Sequence, residues 1–135
     1  MAKYSAYGTA LLRGAVEIAQ VTSVSGPGIT LDTVDVTEHD GVGWEEVVPT
    51  ILRSGEITLE LAYDPAEATH KYASGGLLYD LVQRTSTAYT LRFPTSPIAS
   101  WTFNAYVTAF EPSAPVDGAL TASVTLKITG AVTLP

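Results

Sequence analysis

Two stretches of this chain alternate apolar and polar residues without interruption. From Gly55 to Tyr63, the residues Ile57, Leu59, Leu61 and Tyr63 fall on one side, with Glu56, Thr58, Glu60 and Ala62 on the other. From Ala119 to Thr129, the residues Leu120, Ala122, Val124, Leu126 and Ile128 alternate with Thr121, Ser123, Thr125, Lys127 and Thr129. Successive side chains of an extended chain point to opposite faces, so a period of two buries one face and leaves the other wet. The chain is built on half-buried strands, and the remaining segments must be fitted around them.

Ala15 to Ser25 and Thr30 to Glu38 are rich in Val and Thr, which favours extended backbone. Ser25-Gly26-Pro27-Gly28 between them reads as a turn. Ala88 to Phe93 places Tyr89, Leu91 and Phe93 on one side, and Pro94 and Pro97 end it. Ser100 to Glu111 is apolar on both faces; Trp101 and Phe103 are assigned to the core. Asp64-Pro65-Ala66-Glu67 carries a helix-start signal, a capping Asp followed by Pro and a capping-box Glu. The firmer helix is Gly76 to Arg84, with Leu77, Leu78, Leu81 and Val82 as its apolar stripe. A helix this short must pack on a sheet to persist. Met1 to Gly14 is expected to be an extended arm that docks through Tyr4, Leu11 and Leu12, and Gly130 to Pro135 a short tail. No linker or repeat divides residues 1–135, so one domain is expected. The fold class is mainly β: a two-sheet β-sandwich or partial barrel, one short flanking α-helix and a long β-hairpin loop.

That loop, residues 39–54, exceeds the two to five residues usual for a hairpin. It carries Trp44, Val47, Val48, Ile51 and Leu52. Apolar area of this kind on a connecting loop needs a pocket or a partner. The partner reading is the stronger one.

Charge and residue usage exclude several classes. The formal net charge is -7, and ten of the fourteen acids lie between Asp32 and Glu67, where Arg53 is the only cation. A protein that grips nucleic acid shows the opposite, a basic patch that displaces counterions from phosphate. The absence of cysteine removes disulfides and thiolate metal sites. No apolar run reaches the ~20 residues of a membrane helix, and the first residues lack the apolar segment of a signal peptide. A soluble chain used without secretion, with no membrane insertion, is expected.

Catalytic and cofactor patterns are missing. His39 and His70 are about thirty residues apart and read as a loop and a helix-end residue rather than metal ligands. Asp32, Asp35, Glu38 and Asp40 lack calcium-loop spacing. No nucleophile elbow, phosphate loop or dinucleotide fingerprint is present. No enzyme activity and no cofactor are expected.

Several stretches in this order resemble the major tail tube protein family of long-tailed, lambda-like phages: Val21 to Pro27, Asp32-Thr-Val-Asp-Val-Thr-Glu-His-Asp40, Trp44-Glu-Glu, Gly55 to Pro65, Phe110 to Asp117, and Leu120-Thr-Ala-Ser-Val-Thr-Leu-Lys-Ile-Thr-Gly130. The resemblance implies a structural virion protein, made in the host cytoplasm, that forms hexameric rings stacked into a hollow tail tube. Its implied partners are further copies of itself, a tape-measure protein inside the tube, and tail terminator and distal tail proteins at the ends. Double-stranded DNA would pass in transit without specific binding. A contractile-tail or type VI-like secretion tube is a related alternative. A carbohydrate-binding β-sandwich, with Trp44 and tyrosines as stacking platforms, is an alternative of another class. On this view Tyr4, Leu11, Leu12, Trp44, Val47, Val48, Ile51 and Leu52 carry contacts between subunits or rings, and Asp32, Asp35, Glu56 and Glu60 line the lumen.

Overall fold

The two alternating segments pair with each other at the middle of one sheet. The computed structural model describes residues 7–38, 43–95 and 97–135. In chain order these form β1 (Ala10–Arg13), β2 (Val16–Glu17), β3 (Val21–Ser25), β4 (Ile29–Asp35), β5 (Val47–Ser54), β6 (Glu56–Ala62), α1 (Leu77–Gln83), β7 (Thr87–Phe93), β8 (Ala99–Ser113) and β9 (Thr121–Thr133). Seven strands make one antiparallel sheet in the order β2-β1-β7-β8-β9-β6-β3, and β4 and β5 pair only with each other. In β6 and β9 the register sets Ile57 beside Leu126, Leu59 beside Val124 and Leu61 beside Ala122, so both apolar faces fall on the same side.

The ladder between β8 and β9 shifts register at Thr102/Asn104 and at Val107/Ala109. Such bulges bend a strand and increase its twist. The sheet curls until β1 and β3, far apart in strand order, approach each other. The result is a half-barrel rather than two stacked sheets. Its core holds Leu11, Ile57, Leu59, Leu61, Tyr89, Leu91, Phe103, Val107, Val124 and Leu126, with Trp101 packed at its margin. The Trp101 ring meets Phe93 edge-on at 6.1 Å.

α1 lies against β8 and contributes Leu77 and Leu81 to the core, whereas Val82, assigned to the same stripe, is exposed. The position that replaces Val82 is Asp80, which shares a face with Leu77 and Leu81 and is 1 % exposed. Arg13 on β1 donates to it twice, Nε to Oδ2 at 2.7 Å and Nη2 to Oδ1 at 2.9 Å. The Tyr89 hydroxyl on β7 donates to Oδ2 at 3.0 Å. One carboxylate therefore ties α1, β1 and β7 together. Gly76 begins α1 because a Cβ there would run into the Lys71 carbonyl oxygen.

Other expectations change at specific residues. Residues 10–13 of the N-terminal stretch are a strand of the sheet, in register with Tyr89 to Arg92. Ala15 to Ser25 is not one strand: the chain turns between β2 and β3, with Gln20 at φ 59. Asp64 to Glu67 forms a turn, not a helix, because the Asp64 carboxylate accepts the Ala66 N–H at 2.9 Å and its carbonyl accepts the Glu67 N–H at 3.0 Å. No apolar stripe follows that would carry a helix onward. His70 is buried, its Nε2 2.7 Å from the Ala19 carbonyl and its Nδ1 accepting the Asp64 N–H at 3.3 Å. The first of these bonds closes the connection from β6 to α1 onto the β2–β3 turn, and the Ala19 N–H adds a second by donating to the Thr69 hydroxyl at 3.1 Å. The expected tail continues β9 as far as Thr133, opposite Thr102.

Candidate self-assembly surface

Half of the expected loop 39–54 is strand. His39 and Asp40 lie outside the described residues, but Val47 to Ser54 is β5, paired with β4 from Ile29↔Ser54 to Asp35↔Val47. The connection looked too long because Pro49 and the clustered β-branched residues broke the alternation. Pro49 is tolerated because it lies opposite Thr33 in a ribbon whose outer edges pair with no other described strand. A register shift between Leu31 and Thr33 gives β5 one extra residue.

The ribbon is locked by short-range bonds. The Thr50 hydroxyl donates to the Asp32 carbonyl at 3.1 Å, and Arg53 Nε donates to Asp32 Oδ2 at 2.6 Å. Towards the tip, Val36 N–H donates to the Glu46 carbonyl at 3.0 Å, and Glu46 N–H to the Thr37 hydroxyl at 3.0 Å. Asp35 accepts the Thr37 hydroxyl at 2.6 Å and the Thr37 N–H at 2.9 Å. The hydroxyl bond, then the amide bond, hold its carboxyl below the usual carboxylate range. At the base, Gly55 N–H donates to the Gly28 carbonyl at 2.9 Å, and the Ser54 hydroxyl to the Gly130 carbonyl at 3.1 Å.

Nothing in the described chain covers the ribbon's apolar side chains. Trp44 is 78 % exposed and Leu52 71 %, and Ile29, Leu31, Val34, Val36, Val47, Val48 and Ile51 are also exposed. Leu31 pairs with Leu52, and three positions on Val34 pairs with Val48, so apolar residues occupy both faces. A two-stranded hairpin is marginal in water even with one sheltered face.

The residues assigned to subunit contact therefore divide. Trp44, Val47, Val48, Ile51 and Leu52 lie together on the exposed ribbon. Leu11 does not belong with them: it is 0 % exposed in the core, because β1 has joined the sheet. Leu12, on the opposite face of β1, is half-buried beside Glu17, and Tyr4 lies outside the described residues.

The four acids assigned to a lumen also divide. Glu56 and Glu60 point from the wet face of β6, where the register aligns Glu60 with Ser123 and Glu111, and Glu56 with Lys127 and Tyr106. Lys127 Nζ is 4.0 Å from Glu56. Asp32 and Asp35 are on the ribbon, occupied by Arg53 and Thr37. The wet face is dominated by hydroxyl groups, with Thr58, Ser123, Thr125 and Thr129 among them.

The open seam of the half-barrel is a cleft of about 820 Å³ lined by Tyr7, Val21, Val24 and Phe93 among others. Among the described residues, Trp44 and the tyrosines do not gather in one concave site, as a carbohydrate-binding groove requires; of them, Tyr7 lines this cleft. Trp44 is on the ribbon, Tyr72 stands beside α1 and Tyr79 is within it, Tyr106 is on the wet face of the sheet, and Tyr89 is inside. Among the described residues no cluster of carboxylates and histidines is arranged for a metal, and no helix is long and apolar enough to cross a membrane.

Comparison with known proteins agrees with this architecture. The virion of a native gene transfer agent contains a chain that superposes with a TM-score of 0.80 at 12 % identity, covering 98 % of this chain and 99 % of that one. The tail of an empty gene transfer agent particle, with C6 symmetry, gives 0.75 at 13 % over 98 % and 99 %. The sheath/tube terminator structure of an extracellular contractile injection system gives 0.75 at 21 % over 100 % and 98 %. These likenesses show the fold. No match is found among curated proteins. The family described as lambda phage tail tube protein matches residues 3–135, so the chain belongs to the lambda phage tail tube protein family, a structural component of the virion tail and not an enzyme.

Proposed function

We propose that this tail tube protein assembles as hexameric rings stacked into a hollow tube through which phage DNA is delivered. The observation that carries the proposal is the β4–β5 ribbon, apolar on both faces and uncovered by the rest of the described chain. Burying one large apolar side chain contributes roughly 1.5–3 kcal/mol. Several such contacts, repeated around a ring, supply the free energy of stacking. The free edges of the sheet, β2 and β3, add unpaired backbone groups that a neighbouring copy can take up. The six-fold symmetry of the gene transfer agent tail supports the ring number.

On this reading the wet face of β6, β8 and β9 lines the bore, with Glu56 and Glu60 facing DNA. Carboxylates and hydroxyl groups offer phosphate no cation to hold beyond Lys127, which sits near Glu56. Asp32 and Asp35 act within the ribbon instead. The bore would hold a tape-measure protein during assembly in the host cytoplasm, and tail terminator and distal tail proteins would close the ends. A contractile-tail tube is the second reading, favoured by the likeness to the contractile injection system structure.

Negative-stain electron microscopy of the concentrated protein tests the proposal. It predicts hollow tubes with six-fold end views. Particles that never stack at any concentration, or rings of another symmetry, contradict it.

A further inference from the structure

Charge and exposure are distributed unevenly between the ribbon's tip and the outer side of α1. Four ion pairs occupy the cations Arg13, Arg53, Arg92 and Lys127. Among the described residues the two remaining cations are Lys71 and Arg84, both exposed and neither in an ion pair. They flank one apolar patch. The Tyr72 ring lies 5.8 Å from that of Tyr79, Gln83 Nε2 donates to the Tyr72 hydroxyl at 3.0 Å, and Val82 stands exposed one position before Gln83. Tyr72 and Val82 are each more than half exposed. Glu67 is the acid nearest Lys71 in sequence, and its backbone carbonyl accepts the Lys71 N–H; Asp80, the acid nearest Arg84, is buried and paired with Arg13.

The ribbon's tip is the counterpart. Glu38, Glu45 and Glu46 are exposed around Trp44, and none is in an ion pair. β4 spans seven residues from the base, so the tip stands roughly 20 Å out along the ribbon. The ribbon's base is fixed at Gly28, Gly55 and Gly130, and at the far end Trp44 is exposed and available to another copy.

We infer that the tip docks on the α1 side of another copy of this chain, with Trp44 against Tyr72 and Val82, and Glu45 and Glu46 against Lys71 and Arg84. This rests on the tube reading and specifies which surfaces meet in it. Trp and Tyr with flanking charges make an interface core with a polar rim. The pairing also explains why the two cations unpaired among the described residues sit beside an apolar patch on the helix side.

Assembled protein made from a mixture of natural-abundance and 15N-labelled chains tests the pairing. Zero-length carbodiimide coupling should join Lys71 to Glu38, Glu45 or Glu46 in mixed-isotope peptides. Reversal of Lys71→Glu with Arg84→Glu, or of Glu45→Lys with Glu46→Lys, should raise the concentration needed for tubes by about tenfold or more, and combining all four should largely restore it. Tubes in which the tip couples to Lys127 or to no lysine overturn the docking site alone. So does a combined variant no better than either parent. A wild-type protein that never assembles overturns the tube reading with it.

Discussion

A carboxylate at 1 % exposure inside a β-rich core has to be neutralised where it sits. Asp80 achieves this with the forked guanidinium of Arg13 and the hydroxyl of Tyr89. Breaking such a pair is costlier than never having built it, because the partner charge stays behind. Asp80→Ala should cost about 3 kcal/mol and about 10 °C in Tm, read by thermal unfolding of the dispersed subunit. Burial, then the Asp80 charge, push the Tyr89 phenol well above its usual range, and Arg13 only partly offsets them. The native state therefore holds the Tyr89 proton more tightly than the unfolded chain does. Its contribution is complete below pH 10, the ordinary tyrosine value, and is lost as pH rises through the folded value. Tyr89→Phe should cost about 1.5–3 kcal/mol at pH 7, the worth of a hydrogen bond to a charge. Denaturant titrations should show that cost shrinking above pH 10. A cost independent of pH would assign the loss to packing alone. The spacing of Leu77, Asp80 and Leu81 placed a charge within the helix's apolar stripe, and that was the available signal. Arg13 and Tyr89 come from distant strands, and no local pattern links them to it.

At the scale of elements, strands with a strict period of two were fully legible. β6 and β9 bury the faces their sequences indicate, since one face of each meets the core and the other meets water, except that Leu120, assigned to the inner face, precedes β9 and is exposed. β5 was not legible, because a ribbon exposed on both faces has no buried side to impose a period. The cap signal at Asp64 misled for a related reason: an Asp that closes a turn uses the same hydrogen bond as one that starts a helix. The ribbon's independence from the core makes a clear prediction. Leu52→Ser should change the unfolding free energy of the dispersed subunit by less than about 0.5 kcal/mol, as for other exposed positions. It should raise the assembly threshold about tenfold, since burial of a Leu contributes roughly 1.5–3 kcal/mol. Light scattering against concentration reads the second effect. Leu11→Ser should do the reverse and unfold the subunit, because Leu11 is core.

For the whole molecule, the sequence order of motifs carried the family and the β character. A partial barrel was among the expected architectures, but the choice between it and a two-sheet sandwich was not readable, because it depends on bulges at Thr102/Asn104 and Val107/Ala109 that have no composition of their own. The division of the four acids also appears only in three dimensions. Glu56→Lys with Glu60→Lys should leave tubes intact and slow DNA ejection from reconstituted particles. Unchanged ejection kinetics would place that sheet face outside the bore. The account depends most on the β4–β5 ribbon being completed by other copies of the chain. Backbone amide hydrogen exchange over residues 29–54, in the dilute subunit and in the assembled state, measures this directly. Rapid exchange in the subunit and strong protection after assembly are predicted. Equal protection in both states, or fast exchange that persists in assembled protein, would contradict it.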